Sequence, residues 1–523
     1  MSRSYADTQE LQQKIIKGAN VLADNVASTL GPRGRNVLLQ EKDKAPFVTK
    51  DGVTVAHFVA LDDPFENAGA QILRQAAVET NNIAGDGTTT STVLARAILR
   101  ESQKFITSGV SPIELQRGID IATKEVVNTL NGLSTPVTSI DDIEKVASIS
   151  ANNDSTIGKL IATAIDKVGQ DGAITIEESR SADTTLDITE GFRFDSGFCA
   201  GAFVTDQRRS LMVHEDPFIL VTDYKISAVE EILPVLEMIS REGRPLIVVA
   251  EEIEGQALAA MIMNAMRGTL KVAGVKAPYY GEERRHTLED LALSVGAKFI
   301  TRESGVKLSE VRLVDLGSAK MVESSKHRTT VVGGCCDYDQ LETKIESLKA
   351  EIKQTEGLKV CEIIQDRIVR LSSGVAVIHV GGATEVEMIE RKHRIEDALA
   401  AVRSAQEEGI VPGGGTALLR ASRTMVITVA NNEQALAGTI IKAACEEPIR
   451  QMALNAGESP DLIIQQVLET QGNIGWNFLT QQVGDLLTEG VIDPVKVTRS
   501  ALQNAASCAG TLITTNFGII QTE

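Results

Sequence analysis

Apolar residues recur at helical spacing close to the N-terminus, where Leu11, Ile15, Ile16, Ala19, Leu22, Val26 and Leu30 fall on one stripe of a helix predicted over residues 10–30. The same period continues over residues 67–79, 89–106 and 112–130, so this end of the chain is predicted to be helical. Between the first two helices, NVLLQ (36–40) and FVTKDGVTV (47–55) predict a β-hairpin. The middle changes character. FILVTD (218–223), PLIVVAE (245–251), KVAGVKA (271–277) and AKFIT (297–301) are short β-branched runs, alternating with helical segments at 227–241, 254–267 and 287–294. That alternation predicts βαβ units on a mostly parallel sheet. A charged amphipathic stretch, residues 338–371, leads out of it, and helical sequence returns at 385–408 and beyond 414. The layout is nested, with an α/β domain inserted into a helical one through short connectors. Gly191 and Gly374 bracket the α/β portion, and Pro136 and Gly409 bracket the connectors, as hinges or as ordinary turn residues.

Composition narrows the possibilities. A chain of 523 residues with 43% hydrophobic content is too long for one core and apolar enough for two or three domains. Acidic residues outnumber basic ones, 71 to 52, for a formal charge of −19, which argues against nucleic acid as a main partner. No window offers about 18 uninterrupted apolar residues and the start has no apolar leader core, so no membrane partner and a cytoplasmic location are expected. The six cysteines are scattered, Cys335 and Cys336 being adjacent rather than spaced for zinc, and reduced thiols are expected. The six histidines form no metal-binding motif.

Chemistry enters with GDGTTTSTVL (85–94), where one carboxylate stands between two glycines at the head of an apolar run. The glycines permit a tight turn and close approach of a ligand, and Thr88, Thr89 and Thr90 open a helix whose first amides lack internal partners. Such a helix start suits phosphate, and a carboxylate beside phosphate implies a divalent cation between them, which makes Asp86 a magnesium-ligand candidate. The alternative is a plain helix capped by Asp86. Two further glycine-rich turns at helix ends, TLGPRGRN (29–36) and VPGGGTALL (411–419), together with TKDGV (49–53), favour a nucleotide site. GxxxxGK[ST] is absent from the sequence.

Those stretches, with ISANND (149–154), ATEVEM (383–388), EDALAA (396–401) and DPVKVTRSALQNAAS (493–507), resemble the signatures of the group I chaperonins, a heat-shock family, and they run almost the length of the chain. The resemblance implies a multidomain fold mixing α+β and α/β parts, the chaperonin fold: a mainly helical equatorial domain (1–132 and 408–523), a small intermediate hinge domain (133–189 and 375–407) and an inserted α/β apical domain (190–374). It implies an ATPase that folds non-native polypeptides in homo-oligomeric, seven-membered rings, stacked as a double ring, with a co-chaperonin admitted and a bacterial or viral origin left open. By matching position, Thr29, Leu30, Gly31, Pro32, Gly87, Thr88, Thr89 and Thr90 would hold ATP phosphates and Asp86 the Mg2+. Gly414 and Asp493 would contact the ribose and Asn477 the base, with Lys50 near a K+ site. Asp397 would orient the attacking water, assisted by Asp51; Glu396-Asp397 as a solvated helix face is the alternative.

The helix GQALAAMIMNAMRG (255–268) is polar only at Gln256, Asn264 and Arg267 and carries Met261, Met263 and Met266, side chains suited to a surface that accepts many shapes. With EILPVLEMI (231–239) it forms either a groove for unfolded chain or a simple cover for the sheet. In the family the matching client-binding positions are Phe198, Phe203, Leu233, Leu236, Leu258, Ile262 and Met263. Ala202 departs from the aromatic usual there, the chain ends NFGIIQTE without the family's Gly-Gly-Met repeats, and Ser459 replaces an acidic residue expected near a ring–ring contact opposite Arg450. A ring-forming scaffold without folding activity is the alternative function.

Overall fold

A computed structural model describes every residue except 1, 7, 41–45, 170–172, 180, 355–357, 373 and 523. The chain forms two compact units, one of Met1–Thr163, Glu178–Asp183 and Val380–Glu523, the other of Ala164–Glu177 and Thr184–His379. The nested order is therefore present. Where the sequence leads to three parts, the contacts divide the chain in two, and the connector helices Ile140–Ser150 and Glu385–Glu408 pack within the helical unit.

In the helical unit, Thr8–Ala27, Pro64–Ala84, Thr88–Thr107, Pro112–Leu133, Asn432–Ala456 and Val495–Ile513 enclose one core. Its centre is made by Leu22, Leu73, Leu94, Ile98, Leu115, Ile119 and Leu130, all fully buried, the apolar stripe read from the sequence. Local signals set the helix ends. Asp63 accepts from the amides of Phe65 and Glu66 with Pro64 at the first helical position, and Gly85 in the left-handed region closes the same helix. Val37–Leu39 and Phe47–Thr49 pair antiparallel, as predicted. The second arm is shorter than predicted, because residues 52–55 lie in a helix, Gly52–Phe58. Asp51 accounts for the switch: its carboxylate accepts from the amides of Val53 and Thr54 and from the Thr54 hydroxyl, which favours a helix start over a continuing strand.

Among the described residues the α/β unit is built on a nine-stranded sheet. Phe218–Val221, Leu246–Ala250 and Val272–Lys276 run parallel, and Leu246–Ala250 is buried at every position, as a strand covered on both faces must be. The sheet is mixed rather than mostly parallel, because Gly317–Ser324 and Thr329–Gly334 form an antiparallel pair that extends it through Thr185–Phe194 and Gly374–Val380. Residues 297–301 are not a strand; Ile300 makes a single bridge to Thr222. Helices Val229–Glu242, Gly255–Arg267 and Gly281–Val295 cover the sheet. The charged stretch becomes two helices, Tyr338–Gln354 and Leu358–Ser372, whose Leu348, Ile364, Ile368 and Leu371 join the same core. A buried bidentate ion pair, Arg367 to Asp290 at 2.8 Å on both arms, fixes the second of them to Gly281–Val295. Among the described residues no helix is long and apolar enough to cross a membrane.

Candidate functional site

One cavity of about 670 Å³ lies in the helical unit, and every position nominated for nucleotide, magnesium or the attacking water lines it. The walls come from stretches far apart in the chain, among them 29–32, 49–52, 86–90, 141–153, the helix Glu385–Glu408, the turn at 414–415 and residues 477–498.

The phosphate cradle is the start of Thr88–Thr107. Its N-cap is Gly87, left-handed at φ 85°, which makes no side-chain cap, so the first amides of the helix are left to an outside acceptor. A side chain at Gly87 would meet Val497 at 2.6 Å, so the turn admits only glycine. Asp86 does not cap this helix. Its carboxylate accepts from the Gly87 amide and, at 2.9 Å, from the hydroxyl of Ser150. Burial raises its pKa against those two bonds, and Asp51 raises it further. Asp493 is pushed up to about 7, by burial first and then by Asp86. Carboxylates crowded in this way, Asp493 raised by Asp86 and Asp86 by Asp51, make a place that favours a cation. Among the described residues no group of three metal-binding side chains occurs.

Other nominated residues are held by their own neighbours. Thr29 donates to the Val26 carbonyl and lies 3.3 Å from the Thr89 hydroxyl, joining the first cradle to the second. Lys50 donates to the Gly31 carbonyl at 3.0 Å and to Asn152 Oδ1 at 3.1 Å, and burial lowers its pKa with help from Arg394. Those two oxygens are thus occupied by an ammonium, and a K+ ion near Lys50 would need others. Asn477 donates to Glu489 at 2.7 Å and accepts from the amides of Leu479 and Thr480, so its side chain shapes the turn. Left-handed Gly414 and Gly415 lead into the helix Thr416–Thr424 with no side-chain cap, a second uncapped helix start at the cavity wall. Asp397 reaches the wall from the connector helix Glu385–Glu408, and Ala401 lines the cavity one turn further on.

A model of the TCP-1/cpn60 chaperonin family matches residues 22–522. The chain belongs to that family. Its fold matches two crystal forms of the chaperonin gp146 from bacteriophage EL 2 (Pseudomonas aeruginosa), each determined in the presence of ATP-BeFx. They match with TM-scores of 0.64 and 0.63, at 20% identity, over 99% of each chain.

Sequence reasoning gave this chaperonin's Ser150 and Asn152 no role, although both lie in ISANND. They hold Asp86 and Lys50, and adjacent left-handed residues, Asn152 and Asn153 at φ 59° and 65°, shape the turn that presents them. Paired asparagines after a helix were the available signal.

In the α/β unit the apolar nominees separate. Leu233 and Met263 are 43% and 49% exposed, and Phe198, Leu258 and Ile262 are half-buried against the core. Phe203 and Leu236 are buried and belong to the core, not to an outer face. For Leu236 the reason is periodicity: Ile232, Val235, Leu236 and Ile239 form the inward stripe of Val229–Glu242. Met261 is likewise fully buried, whereas Met266, not nominated as a client contact, is the most exposed of the three methionines at 74%. Ala202 is exposed.

Proposed function

We propose that this chaperonin is an ATPase that captures non-native polypeptide on the apolar face of its α/β unit and promotes its folding in a ring of identical subunits. The observation that carries the reading is the convergence of two uncapped helix starts, the Asp86–Asp493 carboxylate pair and Asp397 on one cavity. Bound MgATP would supply the anhydride bond and the cation that offsets phosphate charge. The chain's own part is then separable. The uncapped amides at Thr88–Thr90 hold phosphate oxygens, Asp86, oriented by Ser150, holds the cation, and Asp397 orients water and accepts its proton. Asp51, fixed by the amides it caps, supports this wall. The phage chaperonin's determination with ATP-BeFx supports the nucleotide; K+ has no such support.

The domain limits given above, seven-membered double rings, a co-chaperonin and a cytoplasmic location belong to the same proposal. ATP turnover by the purified chain, with and without a denatured protein, tests it, alongside negative-stain images of the assembly. Turnover that a denatured client stimulates, in ring-shaped particles, supports the reading. Rings that bind clients with no turnover would replace it with a scaffold.

A further inference from the structure

The connector helix Glu385–Glu408 carries Asp397, Ala400, Ala401 and Ser404 on one stripe, spaced by three and four residues. Ser404 is 3% exposed, and its hydroxyl donates at 2.9 Å to the carbonyl of Ala84, the last residue of Pro64–Ala84 and two before Asp86. That carbonyl belongs to the final turn of its helix, where no intrahelical donor exists. One residue on, Gly85 is left-handed at φ 70°, and a Cβ there would stand 2.2 Å from the Cβ of Ala400. The helix and the GDGT loop are therefore in backbone-close contact at Ala400 and bonded at Ser404, while Asp397 sits on the cavity wall about two turns away along the same stripe.

We infer that Ser404 is a positioning residue for hydrolysis: its bond to Ala84 fixes the register of the connector helix on the GDGT loop, and so the placement of Asp397 over the phosphate cradle. The inference rests on the hydrolytic reading above. The contact is built for one register. Small residues at 400 and 401 allow the approach, and the hydroxyl at 404 donates to a carbonyl that burial would otherwise leave unsatisfied. Departure of the helix would expose or orphan that carbonyl, so the bond favours the docked position.

The test uses the full chain as Ser404→Ala, Asp397→Ala, the double variant, and Gly85→Ala. Titration calorimetry reads MgADP affinity in each variant. Loss of one buried bond predicts a single-turnover hydrolysis rate about tenfold lower for Ser404→Ala, with MgADP affinity changed less than about twofold. Because Ser404 acts through Asp397, adding Ser404→Ala to Asp397→Ala produces no further loss. Gly85→Ala, which drives a methyl into Ala400, loses more than Ser404→Ala. Hydrogen exchange over residues 395–408 without nucleotide speeds up in Ser404→Ala. An additive double variant, or unchanged exchange, overturns the inference. A parent chain that binds MgADP without hydrolysing ATP would defeat the hydrolytic reading alone, and the exchange measurement would still decide whether Ser404 docks the helix.

Discussion

The cavity of the helical unit and the apolar face of the α/β unit are built on opposite plans. In the cavity nearly every polar side chain has an assigned direction: Asp51 on two amides, Asp86 on Ser150, Lys50 on Gly31 and Asn152, Asn477 on Glu489. On the apolar face Leu233, Met263 and Met266 project with much of their surface exposed and present no directional group. Chemistry at one bond demands fixed geometry. Capture of many different segments demands area and a surface that can adapt. Single atoms should therefore matter in the first region, and only aggregate changes in the second.

The largest effect is expected where direction is the whole contribution. Asp397→Ala should lower single-turnover ATP hydrolysis about a hundred- to a thousandfold while MgATP still binds. Rapid-quench kinetics on correctly assembled protein measure it, and near-normal turnover would remove Asp397 from the mechanism.

The apolar face should yield only to a change of its overall character. Leu233→Glu, Met263→Glu and Met266→Glu together should reduce capture of a denatured client at least about tenfold, whereas Met266→Ala alone should change it less than about twofold. Phe203→Ala or Leu236→Ala should instead destabilise the unit by about 2–5 kcal/mol, since both are core. Client binding by light scattering and melting by circular dichroism separate the two outcomes. Full capture by the triple variant would make these helices a cover for the sheet and nothing more.

The same contrast explains what could be read beforehand. Cavity residues were legible because helix starts, left-handed turns and buried carboxylates restrict which residue types will serve, so Gly87, Asp86 and Thr88 leave a local trace in sequence. Ser150, Asn152 and Ser404 were not legible in role, because what each one bonds lies far away in the chain. On the apolar face the helices were visible from their period, but which leucines point outward was not. Leu233 and Leu236 are three residues apart and so lie on neighbouring sides of one helix, and only the packed sheet decides which is buried. The strand predicted at 297–301 failed for a related reason: a β-branched apolar run fills a core equally well without joining a ladder.

A pH series sharpens the electrostatic half of the comparison. Asp493, pushed up to about 7, and Asp86, raised in the same direction, keep protons in the native state at pH values where the unfolded chain has lost them. Without ligand, stability should be fully present below about pH 4 and fall as pH rises through about 7, by up to ~1.4 kcal/mol per pH unit for each proton retained. A cation competes with those protons, so MgADP affinity should rise with pH across the same window, up to about tenfold per unit, and level off above it. Asp493→Asn should flatten the slope. Titration calorimetry from pH 5.5 to 8.5 reads the effect, and an affinity that falls with rising pH would contradict it.

The smallest effect concerns the contact proposed between rings. The expectation from sequence is that Ser459, replacing an acidic residue, weakens a cross-ring pair with Arg450 and lets rings part easily. Arg450 already has partners in its own chain, Asp461 at 2.7 Å and Glu446 at 3.6 Å, and Asp461 is 81% exposed. Ser459 precedes the helix Pro460–Glu469 without capping it through its side chain. An arginine shared by two carboxylates of its own chain has less to gain from a third across an interface, because the added attraction is offset by loss of solvent and of its present geometry. An exposed pair contributes about 0 to 1 kcal/mol. Repetition around a ring adds such terms only if the sites are independent. Asp461→Asn should therefore free Arg450 and shift the salt concentration at which rings separate by more than Ser459→Glu does, though both shifts should be small. Sedimentation velocity across a salt series with ADP present measures both variants. Ser459→Glu holding double rings together where the parent and Asp461→Asn both dissociate would show that the in-chain pair does not compete, and that the residue at 459 alone sets the contact.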